Sequence, residues 1–154
     1  MPDRLRKASA VDPLVRLDVA ATGLLLLTSL GAAIRPTGFE RVHAVVSGLL
    51  FSVGTGALLW AYAIGISRSR RDVVTLSGLF FLGGASAPRS VRRRFHLALT
   101  VQVVAVVTAA AVRPYSEAAF GVLAPMFGLG LMALWGGRHG AFAARTPPGP
   151  SAPE

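Results

Sequence analysis

Cysteine is missing from this chain, which excludes disulfides, thiolate nucleophiles and Cys-ligated metals whichever compartment its loops face. Carboxylates are sparse too: seven Asp and Glu stand against sixteen Lys and Arg, a formal charge of +9. In a water-soluble domain that imbalance would point to nucleic acid. Here the basic residues fall between long apolar runs, and 53% of the 154 residues are hydrophobic, too many for a polar surface on every side. The anionic partner expected is therefore phospholipid rather than nucleic acid. Histidine is scarce as well. His43, His96 and His139 lie at separate levels, without the spacing of zinc ligands or the matched depth of a haem pair, so no metal or cofactor is expected.

What the chain does have is long apolar runs. Four are candidates to span a bilayer: residues 17–34, 42–66, 95–112 and 118–135. A hydrocarbon core of about 30 Å takes roughly 20 helical residues, so each run qualifies with some help from its flanks. Helices are required because backbone groups cannot go unpaired in lipid, and the runs lack the alternation of a membrane barrel. The fold expected is all-α: an integral membrane four-helix bundle over residues 17–135, between a basic tail (1–16) and a tail (136–154) that ends in Pro-rich sequence. The first run is expected to stay as an anchor rather than to be cleaved as a signal peptide.

A fifth run, Val73–Ala87, reaches only roughly 22 Å as a helix and stops at Pro88. It separates two arginine clusters, and charge decides its topology, since cytoplasmic loops accumulate Lys and Arg. With four spans, thirteen basic residues share one side: Arg4, Arg6, Lys7 and Arg16; then Arg68, Arg70, Arg71, Arg89, Arg92, Arg93 and Arg94; then Arg138 and Arg145. Three remain opposite, Arg35, Arg41 and Arg113. A fifth span would level the count at eight on each side. Both termini and the central loop are thus expected in the cytoplasm, with 73–87 a short re-entrant or interfacial segment between helices 2 and 3. Its lack of charge favours re-entry or packing on protein over a surface helix. Asp72 reads as a helix N-cap near an arginine. The seven arginines from Arg68 to Arg94 are expected to meet lipid headgroups. Trp60, Tyr62 and Trp135 are expected at the inner boundary and Tyr115 at the outer one.

Helices in lipid associate through small residues and interhelical hydrogen bonds. Gly48, Ser52 and Gly56 recur at four-residue spacing on one face of the second span, and Ala124 and Gly128 repeat the spacing in the fourth, beside Pro125, which should kink it. Such faces serve either a homo-oligomer or partner, or packing within the chain. Gln102, deep in the third span, is expected to bond across helices to Thr22, Thr28, Ser47 or Ser52. Asp18, His43, His96 and Glu117 are placed near span ends, within reach of water or headgroups.

The stretches "RPTGFERVHAVVSG", "SGLFFLGGASAP" and "PMFGLGLMALWGGRHGAF" resemble small uncharacterised multi-pass membrane proteins of high-GC actinobacteria. The resemblance implies a bacterial plasma membrane and supplies no catalytic residue. Three functions remain in view. The first is a non-enzymatic accessory or scaffold subunit of a membrane complex. The second is a small oligomeric transporter or channel lined by Gln102, the Pro125 kink and the segment around Gly83. The third is an intramembrane enzyme using His96 or Asp72.

Overall fold

The computed structural model describes residues 12–34 and 36–145. Arg4, Arg6, Lys7, Arg35 and the Pro-rich end after Arg145 lie outside the described residues. In chain order the elements are α1 (Pro13–Ile34), α2 (Pro36–Ser69), β1 (Asp72–Val73), α3 (Leu76–Phe80), α4 (Arg89–Val112), a 3₁₀ segment (Glu117–Leu123), α5 (Met126–His139) and β2 (Ala143–Ala144). Four stretches are long and apolar enough to cross a membrane: Pro13–Ile34, Gly38–Ser69, Arg89–Val112, and Glu117–His139, which joins the 3₁₀ segment to α5.

α1, α2 and α4 start before their apolar runs. Asp12 caps α1, its Oδ1 accepting the Leu14 N–H at 3.0 Å, and Pro13 fills the first position, where a missing N–H costs nothing. Pro88 stands one position earlier on α4, at its N-cap, with its carbonyl accepting the Arg92 N–H at 3.1 Å, so Arg89–Arg94 form the first turns of that helix. α2 has 34 residues, about 51 Å of helix, so it outruns a hydrocarbon core.

The fourth run does more than kink. Ser116 caps a 3₁₀ segment that ends with the Ala124 N–H bonded to the Gly121 carbonyl at 3.0 Å. Pro125 has no N–H to continue the ladder, and α5 begins afresh at Met126.

Contacts at the two ends show that α1 and α4 run one way and α2 and α5 the other. At one end the Trp135 indole N–H donates to Asp12, and Arg68 at the foot of α2 donates to the Gly137 and Gly140 carbonyls, each at 2.9 Å. Val15, Val91, Phe95, Leu131 and Trp135 form a buried core there. At the other end Arg113 pairs with Glu40 at 2.9 Å, and Arg41 lies 3.9 Å from Glu117.

The fifth run stays at the first end. Thr75 caps α3 by accepting the Gly78 N–H at 3.1 Å, so Thr75, rather than the expected Asp72, is the N-cap. Leu82 turns the chain with a positive φ of 52° and is wholly buried, with Gly84 also in the left-handed region. Leu79 and Leu82 press on α5, where a Cβ at Gly136 would strike the Leu79 carbonyl. β1 pairs antiparallel with β2, Asp72 opposite Ala144, tying the end of α5 back to this segment. Both arginine clusters thus lie at the same end of the bundle.

Candidate functional site: buried polar clusters inside the bundle

One face of α1 carries Asp18, Thr22, Leu25, Ser29 and Ala32 at helical spacing, and all are buried. Asp18 and Gln102 are each 1% exposed. The Gln102 amide nitrogen donates to the Thr22 hydroxyl at 2.7 Å and to Asp18 Oδ1 at 3.1 Å, and the Thr22 hydroxyl donates to the Asp18 carbonyl at 2.8 Å. The first turn of α5 closes over this pair. A Cβ at Gly128 would lie 2.8 Å from Gln102 Oε1 and 3.2 Å from Asp18 Oδ1, so only glycine lets the helix approach. The Asp18 side chain therefore sits beside the first turn of α5. Gln102 Oε1 has no partner among the described residues.

A second cluster lies toward the other end. The Thr28 hydroxyl is 3.1 Å from the Leu24 carbonyl, the Leu25 carbonyl and His43 Nδ1 alike. The hydroxyl either donates to Nδ1 or accepts Nδ1–H, according to the imidazole tautomer, and in both cases His43 Nε2 is left to find another partner. His43 is 0% exposed, Nε2 has no partner among the described residues, and Gly121 packs against it. Ser47 Oγ, also wholly buried, has none either. Between the clusters Leu25, Val106 and Ala124 form an apolar plug.

Several expected placements change. Asp18 and His43 are interior residues instead of water-exposed span ends, because the helices begin earlier than the apolar runs. Trp135 is 0% exposed, bonded to Asp12 and against the His139 ring, so it is no lipid-facing anchor. Trp60, Tyr62 and Tyr115 are exposed. Gln102 does bond across helices, to Thr22, and also to Asp18, which sequence reasoning missed although Asp18 and Thr22 share an i,i+4 face.

The arginines divide. Arg68 is turned inward, bonded to Asp72 at 3.3 Å, to both α5 carbonyls, and stacked over the Phe142 ring. Arg92 donates to the Gly84 carbonyl. Arg70, Arg71, Arg89 and Arg93 are at the surface of the same end, where Arg94 is also exposed. Asp72 and His96, the enzyme candidates, each have a local partner: Arg68 for one, the Arg92 carbonyl at 2.8 Å for the other. Among the described residues no three His, Asp or Glu stand close enough to share a metal ion.

The small-residue faces divide likewise. Ala124 and Gly128 are buried inside the bundle. Gly48, Ser52 and Gly56 are not: a Cβ at either glycine would meet nothing within 4 Å, and the exposed Ser52 hydroxyl bonds its own Gly48 carbonyl at 2.9 Å. The close helix crossing uses Gly54 and Gly130 instead, where a Cβ at Gly130 would strike the Gly54 carbonyl.

These features define a small helical bundle with four candidate membrane spans and two polar clusters buried in an apolar interior. No family model, curated protein or solved structure is similar to this chain.

Proposed function

We propose that the chain is a multi-pass protein of a bacterial plasma membrane, both termini cytoplasmic, serving as a non-enzymatic accessory or scaffold subunit that docks a partner helix, or a second copy of itself, on the Gly48, Ser52 and Gly56 face of α2. In this reading Val73–Ala87 dips into the inner leaflet and returns, and the exposed arginines around it rest on anionic headgroups, each adding about 1 kcal/mol. The observation that carries the proposal is the open space over Gly48 and Gly56. The chain's own helices make no use of that face, and its one hydroxyl is satisfied locally, so a close-approaching helix would bury no orphan polar group.

The test is purification in mild detergent. A dimer or a stoichiometric partner is expected with wild type and is expected to be lost on changing Gly48 and Gly56 together to leucine, with insertion and folding preserved. A monomer without partner under all mild conditions sinks the reading.

A second reading, a transporter, is favoured by the Asp18, Thr22 and Gln102 cluster beside the break at Pro125. Ionisable groups inside a membrane protein are costly and tend to mark ion or proton paths, and broken helices supply polar ends at such sites. The Leu25 plug would be its closed gate. Solute or proton flux through reconstituted wild type, abolished by Gln102→Leu, would replace the scaffold proposal with this one.

A further inference from the structure

The groove between the C-terminal halves of α1 and α4 encloses a cavity of about 270 Å³, larger than the engineered apolar cavity of about 150 Å³ that takes up benzene. Ala33, Ala105 and Ala109 leave the space, and the rim residues Leu30 and Val112 are more than half exposed, so it opens sideways. In a bilayer that opening faces lipid. Three polar residues interrupt the apolar lining, Arg113, Ser29 and the exposed Thr108. Arg113 stands at the outer end, bonded to Glu40 through Nη1. Ser29, five residues before the end of α1 and so about 7.5 Å deeper, is 7% exposed, and its hydroxyl has no partner among the described residues.

A cation at the membrane boundary, a hydrogen-bond donor one helical turn or so below it, small residues at Ala33 and Ala109 between the two, and apolar lining at Ala105 and Leu26 deeper still match one kind of molecule. We infer that the groove holds a phospholipid of the adjoining leaflet, its phosphate at Arg113, its glycerol backbone beside Ala33 and Ala109, a chain ester carbonyl accepting from the Ser29 hydroxyl, and the start of its acyl chain against Ala105 and Leu26. The chain restores the dispersion contacts that the small residues forgo. It also answers the orphan hydroxyl, which a plain hydrocarbon would leave unpaired. Glu40 engages the guanidinium through Nη1, and the remaining Arg113 donors are the ones offered to the phosphate.

This inference rests on the membrane reading and is independent of partner docking on α2. The full-length chain is reconstituted in phosphatidylglycerol vesicles doped with an analogue bearing a diazirine on the acyl chain a few carbons below the ester. After irradiation, adducts mapped by mass spectrometry are expected to concentrate on Leu26 and Ala105. Native mass spectrometry after delipidation is expected to retain one phosphatidylglycerol per chain. Ser29→Ala should reduce that retention, and Ala105→Leu with Ala109→Leu should abolish it and the groove adducts. Inorganic phosphate should not displace the lipid. Adducts spread evenly over other exposed positions such as Leu27, Leu49, Val53 and Leu97 would mean annular lipid only and overturn the proposal. Equal retention by a folded, groove-filled variant would do so too. Should that variant fail to fold, the wild-type adduct map and Ser29→Ala still decide.

Discussion

At the scale of single residues, the interior is organised by side chains whose hydrogen-bonding capacity is only partly met. Gln102 was legible in the sequence because it is the lone amide in an apolar run. Asp18 was not, because reading the span from Leu17 put it at a helix end; the Asp12 cap and Pro13 start the helix earlier and carry Asp18 inside. Gln102→Leu removes the donor to both Asp18 and Thr22 and is expected to cost about 1–2 kcal/mol in unfolding from mixed detergent micelles, at the upper end of interhelical hydrogen bonds in membranes. An unchanged unfolding midpoint would show that the pair contributes nothing. Arg68 reads in sequence as one of seven equivalent loop arginines, yet its side chain is only 28% exposed and holds the C-terminal end of α5. Arg68→Gln is therefore expected to speed hydrogen exchange at the Arg145 amide, which bonds the Arg71 carbonyl, while leaving retention of anionic lipid as it was. The reverse pattern, lost lipid with a still-protected strand, would return Arg68 to the headgroup role.

At the scale of elements, the four long apolar stretches could be read from the sequence, whereas at Pro125 the residue itself announced a kink and the structure has a full break between a 3₁₀ segment and α5. The distribution of small residues could not be read from sequence. Seventeen glycines offer many four-residue spacings, and nothing local marks which face meets another helix. Two glycines 76 residues apart, Gly54 and Gly130, make the close crossing, while the better-spaced Gly48 and Gly56 face open space. The two sets should respond oppositely to added volume. Gly130→Ala places a methyl against a backbone carbonyl, which cannot swing away, and is expected to destabilise the monomer by about 1–3 kcal/mol on the overpacking scale of protein cores. Gly48→Leu with Gly56→Leu should leave monomer stability within about 0.5 kcal/mol, the range of ordinary surface changes. Thermal or detergent unfolding of both variants checks this. A destabilised Gly48 and Gly56 variant would assign that face to the monomer after all and remove the support for docking.

At the scale of the whole molecule, the decisive relation is between charge and the length of 73–87. Charge asymmetry suggested from sequence that the two arginine clusters share a side, and the packing brings them to one end of the bundle by independent means: Arg68 to the end of α5, Arg92 to the Gly84 carbonyl, and Val91 and Phe95 to the core around Trp135. α3 has five residues, about 7.5 Å of helix, against a hydrocarbon core of about 30 Å. A crossing would require the segment to leave Leu79 and Leu82 exposed and to unpair β1 from β2. The compartment facing that end is open to measurement by thiol labelling. The absence of cysteine makes the measurement direct, since each introduced thiol is the only one in the chain. Ser67→Cys and Ser90→Cys are expected to label from the same side, and an impermeant maleimide added to intact cells should modify neither, while Thr37→Cys at the opposite end should react. Labelling of Ser67→Cys and Ser90→Cys from opposite sides would mean that 73–87 crosses and that the bundle must open to let it. Labelling of both from outside, with Thr37→Cys protected, would keep the fold and invert it in the membrane, leaving its thirteen basic residues on the side that the charge rule disfavours.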